Sequence, residues 1–125
     1  MEFVEAPAFT RFVKNYLRDD DYAALQKRLE QEPEAGDVIP GTGGLRKLRW
    51  RDRNRGKGTR GGLRIIYYYF LPDFQIWLMT IYDKDEAVDL TPREKKLLRQ
   101  AIEAEMEIRQ KKRDERRVKS ERLGR

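Results

Sequence analysis

The chain contains no cysteine and no histidine. The first absence excludes a disulfide framework and thiolate chemistry, and it fits a reducing cytoplasm, the expected location. The second removes the commonest metal ligand and the commonest general base near neutral pH. Catalysis by this chain must therefore draw on lysine, arginine, tyrosine or carboxylates, and neither a metal nor another cofactor is expected. Long apolar runs are missing as well: nothing approaches the roughly 18–20 apolar residues of a membrane span. The opening MEFVEAPAFTRF has no basic n-region followed by an apolar stretch, so no secretory signal and no membrane partner are expected.

What the chain has in excess is charge. Forty percent of its 125 residues are charged, well above the usual quarter, so part of it is expected to lie outside a packed core. The balance is uneven along the chain. Residues 1–44 carry five basic and nine acidic side chains, and residues 65–108 repeat those counts. Between them, residues 45–64 (LRKLRWRDRNRGKGTRGGLR) hold nine lysines and arginines against one acid. Residues 109–125 add nine basic and three acidic groups. A cationic stripe between acidic flanks focuses a field and speeds encounter with phosphate polymers.

Hydrophobic spacing gives the element order. Phe3 and Val4 suit a short strand. Ala8, Phe9, Phe12, Val13, Tyr16 and Leu17 form the stripe of an amphipathic helix starting at Pro7. Asp19, Asp20 and Asp21 are expected to cap a second helix that carries Tyr22, Leu25 and Leu29 and stops at Pro33 and Gly36. Two helices with so short a joint make an antiparallel hairpin. After the glycine-rich turn 41–44, strands are expected over about 45–51, 63–71 and 74–82, the last two apolar on both faces and hence buried. Thr91, Pro92 and Glu94 spell a helix start. The segment after Ile108 reads equally as a solvated helix or as disorder. The expectation is an α+β fold, β-α-α-β-β-β-α, with an antiparallel sheet, two N-terminal helices on one face and a long C-terminal helix, two layers in all. Its domain spans residues 1–108 and a basic extension spans 109–125.

Strand alternation places Lys47 and Arg49 on one face, with Arg46, Leu48 and Trp50 on the other. Arg46, Arg51, Arg53, Arg55, Lys57 and Arg60 are expected to be solvated or RNA-binding cations. Tyr67, Tyr68 and Tyr69 fit a core as well as an RNA-stacking set, and Trp50 and Trp77 read as packing. Gly41, Gly43, Gly44, Gly61 and Gly62 read as backbone devices, since their spacing fits neither nucleotide-binding pattern.

The strings GDVIPGTGGLRKLRW (36–50), GKGTRGGLRIIYYYF (56–70) and LMTIYDKDEAVDLT (78–91) resemble toxins of the RelE superfamily, most closely its HigB branch. The resemblance covers roughly residues 1–106. It implies a small, metal-independent ribonuclease that cuts messenger RNA in the decoding site of a translating ribosome. It also implies a cognate antitoxin with a helix-turn-helix DNA-binding part, so that DNA is met only through that complex. The functional basic pair of the family falls on Lys47 and Arg49, the arginine of its Gly-x-Arg segment on Arg64, and the residues after its last strand on Tyr82 and Lys84. Some relatives have arginine or histidine where this chain has Asp83 and Asp85, which leaves the general acid open.

RNA cleavage without a metal needs the 2′-hydroxyl deprotonated, phosphorane charge neutralised and the 5′-oxygen protonated. A lysine crowded by cations, such as Lys47, can take the base role. The planar fork of Arg64 suits a non-bridging phosphate oxygen. Tyr82 would stack on a base or supply a proton, and Lys84 would stabilise the leaving group. The alternative is a non-enzymatic module that blocks translation by occupying the ribosome. A DNA-binding role would need a recognition helix with exposed base-reading side chains, and none is evident.

Overall fold

The computed structural model describes residues 1–53, 56, 62–85 and 90–124. Strand β1 (Glu2–Glu5) leads into helices α1 (Pro7–Tyr16) and α2 (Asp19–Gln31). Strands β2 (Asp37–Val38), β3 (Arg46–Trp50), β4 (Leu63–Phe70) and β5 (Gln75–Asp83) follow, and helix α3 (Pro92–Leu123) closes the chain. A single 3-10 turn, Leu71–Asp73, joins β4 to β5.

The sheet has five strands in the order β1-β5-β4-β3-β2. Its centre is the expected antiparallel meander of β3, β4 and β5. Two features were not anticipated. The two-residue β2 adds an edge to β3, and β1 joins β5 in parallel, pairing Val4 with Trp77. The Ala6 N–H then donates to the Leu78 carbonyl at 2.9 Å and turns the chain into α1.

A third difference from expectation is the number of layers. Leu63, Ile65 and Tyr67 of β4 face α1 and α2, packing with Phe9, Val13, Leu25 and Leu29. Ile66 and Phe70 face the other way, against Ile102, Leu98 and Met106 of α3. The sheet is therefore covered on both faces and the molecule has three layers. The cause is visible in β4 itself: apolar side chains on both faces require two covers. A bulge leaves Met79 without an opposite partner, since Ile66 pairs with Thr80 and Tyr67 with Leu78. It lets Ile81 and Leu78 share one face although they are an odd number of residues apart.

Helix boundaries follow local chemistry. The α2 cap is Arg18, and Asp19, Asp20 and Asp21 occupy the first turn, where negative charge meets the positive end of the helix dipole. They are not the caps expected from sequence. Helix α3 opens with a complete capping box: the Glu94 N–H donates to Thr91 Oγ1 at 3.1 Å and the Thr91 N–H to Glu94 Oε1 at 2.9 Å. It then runs through residues 108 and 109 without a break, so the basic extension is helical. Among the described residues no helix is long and apolar enough to cross a membrane.

Two glycines are required by close approach. A Cβ on Gly36 would lie 2.9 Å from the Tyr67 ring and 3.0 Å from the Lys47 backbone. Gly44 adopts φ +115° and a Cβ there would meet the Tyr68 ring at 3.1 Å. Gly36 thus lets the chain after α2 lie against Lys47 of β3, and Gly44 lets the glycine-rich turn lie on Tyr68 of β4.

Candidate RNA-binding site

The sheet register assembles the central cluster. Arg49 pairs with Arg64 across β3 and β4, and Arg64 pairs with Tyr82 across β4 and β5. The three side chains thus form a transverse row over about 10 Å, two inter-strand steps of about 4.8 Å. Lys47 lies two residues along β3 from Arg49, on the same face, opposite Ile66 and diagonal to Arg64. This is the face that α3 covers farther along the sheet, as Tyr82 and Leu90 pack with the same core cluster as Leu98 and Ile102. Strand alternation therefore brings together Lys47, Arg49, Arg64 and Tyr82. Lys84 lies on the exposed turn just past β5, where its N–H donates to the Gly62 carbonyl at 3.2 Å and closes that end of the ladder.

The row is not uniform in depth. Arg49 is exposed and Lys47 half-buried, whereas Arg64 is only 3% exposed. The Arg64 Nη1 donates to the Leu63 carbonyl at 3.1 Å. Two carboxylates are buried at the same end of the sheet: Asp52 at 1% and Asp83 at 0% exposure. Asp83 sits opposite Leu63, one position from the Arg64–Tyr82 pair, and accepts from the Asp85 N–H at 2.8 Å. Arg64, Asp52 and Asp83 all have interaction partners, as buried charges must. Sequence reading named Asp83 without foreseeing its burial and passed over Asp52. Asp52 had a signal, being the one acid in the cationic stripe.

Other cations of the stripe go elsewhere. Arg46 lies on the opposite face, where its Nη1 donates to the Gly36 carbonyl at 2.8 Å and the Glu34 carbonyl at 3.2 Å. It ties β3 to the segment after α2. Arg53 donates to Asp21 Oδ1 at 3.0 Å, binding the end of β3 to the first turn of α2. Arg51 is exposed beside Trp50 and Arg28. Arg55, Lys57, Arg60 and Gly61 lie outside the described residues. Tyr67, Tyr68 and Trp77 pack in the two cores, as expected of packing residues, and Tyr69 lies against the first.

Beyond the end of β1, a cavity of about 230 Å³ is lined by Phe12, Tyr16, Thr80, Tyr82, Leu90 and Glu94. It brings two aromatic side chains of α1 beside Tyr82, next to the cationic row. An outward cation pair beside an aromatic-lined hollow suits a phosphate flanked by a base. Among the described residues no cluster of acidic groups is arranged to hold a metal ion.

No family model matches the chain. Among solved structures, it is similar to a double arginine-to-alanine mutant of Escherichia coli toxin RelE in the free state. The TM-score is 0.46 at 15% identity, over 70% of this chain and 86% of that one.

Proposed function

We propose that this chain is the toxin of a type II toxin–antitoxin pair, a metal-independent endoribonuclease that cuts messenger RNA in the ribosomal A site. The observation that carries the reading is the row Arg49–Arg64–Tyr82 with Lys47 on the same face. The three sequence strings that resemble the HigB branch of the RelE superfamily include these four positions. Lys47 removes the 2′-hydroxyl proton. The 2′-oxygen then bonds to phosphorus as the bond to the 5′-oxygen breaks, leaving a 2′,3′-cyclic phosphate and a 5′-hydroxyl. Arg49 meets the charge that builds on the non-bridging oxygens. Arg64, deep in the sheet, adds fixed positive charge from beneath and sets the spacing of Arg49 and Tyr82. Tyr82 stacks on a base or gives its hydroxyl proton to the leaving 5′-oxygen, and Lys84 stabilises that oxygen. Holding the RNA in line for attack supplies much of the rate. A helix-turn-helix antitoxin of the HigA type holds the toxin inactive.

The test is brief induction in a translating extract, followed by sequencing of RNA 5′ ends. Wild type creates new ends within codons, and Lys47→Ala with Arg49→Ala does not. Equal cutting by both proteins would remove Lys47 and Arg49 from the mechanism. The burial of Arg64 favours a second reading, in which the remaining outward cations only hold RNA and block the ribosome. Translation arrest with no new 5′ ends in wild type would establish that reading and end the nuclease proposal.

A further inference from the structure

Helix α3 turns one stripe towards the sheet, and the chemistry of that stripe changes along its length. Leu98, Ile102 and Met106, spaced by four, pack into the second core cluster. Continued at helical steps of three and four, the same stripe passes through Arg109, Arg113 and Arg116. Arg109 marks the end of the sheet. Its guanidinium lies 3.8 Å from the centre of the Phe70 ring and 5.4 Å from that of Trp77. It also bonds Glu105 and Asp73, each at 2.8 Å, and Gln75. Arg113 still reaches Asp73 at 3.8 Å. Beyond it the helix continues to Leu123, about 15 Å farther. Among the described residues after Ile102, none is buried.

This distal arm, residues 110–123, carries seven cations and three acids, and they are sorted. At 100° per residue, Lys112, Arg113, Arg116, Arg117 and Lys119 fall within an arc of about 160°. Asp114, Glu115 and Glu121 all lie outside it, and only Ser120 and Leu123 share it. Charges on a merely solvated face have no reason to separate in this way.

We propose that the arm is a second polyanion-binding element, whose cationic arc lies along the phosphodiester backbone of structured RNA, with Arg109 as the positioning residue that fixes its direction. The distance from Lys112 to Lys119 is about 10 Å, against one phosphate per roughly 3.4 Å of axis on each strand of a duplex. An anionic membrane is a poorer fit, because Val118 and Leu123 lie about 140° apart and make no apolar stripe to enter a bilayer. An acidic protein partner would want apolar anchors within the arc, and Leu123 alone is there. The inference rests on the proposed function for its choice of RNA, but it requires no cleavage.

The experiment is equilibrium binding of the full chain to a short duplex RNA, with no ribosome, between about 50 and about 200 mM salt. Lys112→Gln with Arg116→Gln should flatten the dependence of log affinity on log salt by about 1.8, roughly 0.9 for each phosphate no longer neutralised. The matched pair Lys111→Gln with Arg122→Gln removes the same charge from outside the arc and should flatten it by less than half as much. Equal effects from the two pairs would show that only net charge matters, and no effect from the first pair would remove the arm from binding. Either result overturns the proposal. A slope change seen with duplex DNA or with anionic vesicles, and not with RNA, would overturn the assignment to RNA. A failure here leaves the mapping of RNA 5′ ends untouched, and the reverse also holds.

Discussion

The Tyr67 hydroxyl accepts a hydrogen bond from the Gly36 N–H at 2.9 Å and donates to the Pro33 carbonyl at 2.8 Å. One buried side chain of β4 thus satisfies both ends of the turn that follows α2. Tyr67→Phe would leave two backbone groups without that partner and should cost about 2 kcal/mol, read from denaturant unfolding. Gly36→Ala should also destabilise, since its Cβ would press on both the Tyr67 ring and the Lys47 backbone. An unfolding midpoint unchanged in both variants would show that the turn is not held this way.

Depth separates the two arginines of the row. Arg49→Ala should lower cleavage about 100-fold or more, the scale expected when a charge-stabilising donor is removed, while stability changes by less than about 0.5 kcal/mol. Arg64→Ala should lower both cleavage and stability, the latter by about 3 kcal/mol, because a buried cation leaves a sheet end that also buries Asp52 and Asp83. Parallel thermal unfolding and RNA cleavage assays on the two variants distinguish these outcomes. A fully stable Arg64→Ala protein would contradict the account of its burial.

Arg109 is expected to be a stability residue as well as the root of the distal arm. Arg109→Ala removes the stacking on Phe70 and the bonds to Asp73, Gln75 and Glu105, which should destabilise by about 1–3 kcal/mol. Arg109→Lys keeps the charge without the planar fork and should recover less than half of that stability. Full recovery by lysine would mean that charge alone, and not the stacked fork, holds the helix down.

Alkali should weaken the fold. Burial and donation to Glu5 hold the Tyr22 hydroxyl well above the ordinary tyrosine value, and burial raises Tyr67 and Tyr68. The folded chain then keeps protons that the unfolded chain releases. The stabilisation is complete below the unfolded value of about 10 and is lost as pH rises through the higher folded values. Melting temperature should therefore fall from about pH 9.5 upward, and less steeply in Tyr22→Phe. Identical alkaline profiles for variant and wild type would exclude Tyr22 as a cause.

Local chemistry was legible in the residues and distant pairing was not. The stripes of α1, the Thr91–Glu94 box and the alternation of Lys47 with Leu48 are set by neighbours within a few positions. The parallel union of β1 with β5 depends on residues some seventy positions apart, and no short pattern encodes it. The double apolar face of β4 did carry the need for two covers, although α3 was not placed as the second. The site divides in the same way. Alternation put Lys47 and Arg49 on one face, and the register then added Arg64 and Tyr82. The depth of Arg64 was hidden, because an arginine between Leu63 and Ile65 shows its burial only once Asp52 and Asp83 are seen buried beside the same sheet end.

The first strand of the chain waits for its neighbour. Glu2–Glu5 can take its place only against Gln75–Leu78, so β1 stays unpaired on that side until β5 has been synthesised. Until then Phe9 and Val13 of α1 lack the part of their cover that Ile76, Leu78 and Ile81 supply. Ordering this edge closes a long loop late, which makes it a slow step in acquiring the native state. A nascent chain paused before residue 75 would therefore leave the apolar stripe of α1 only partly covered.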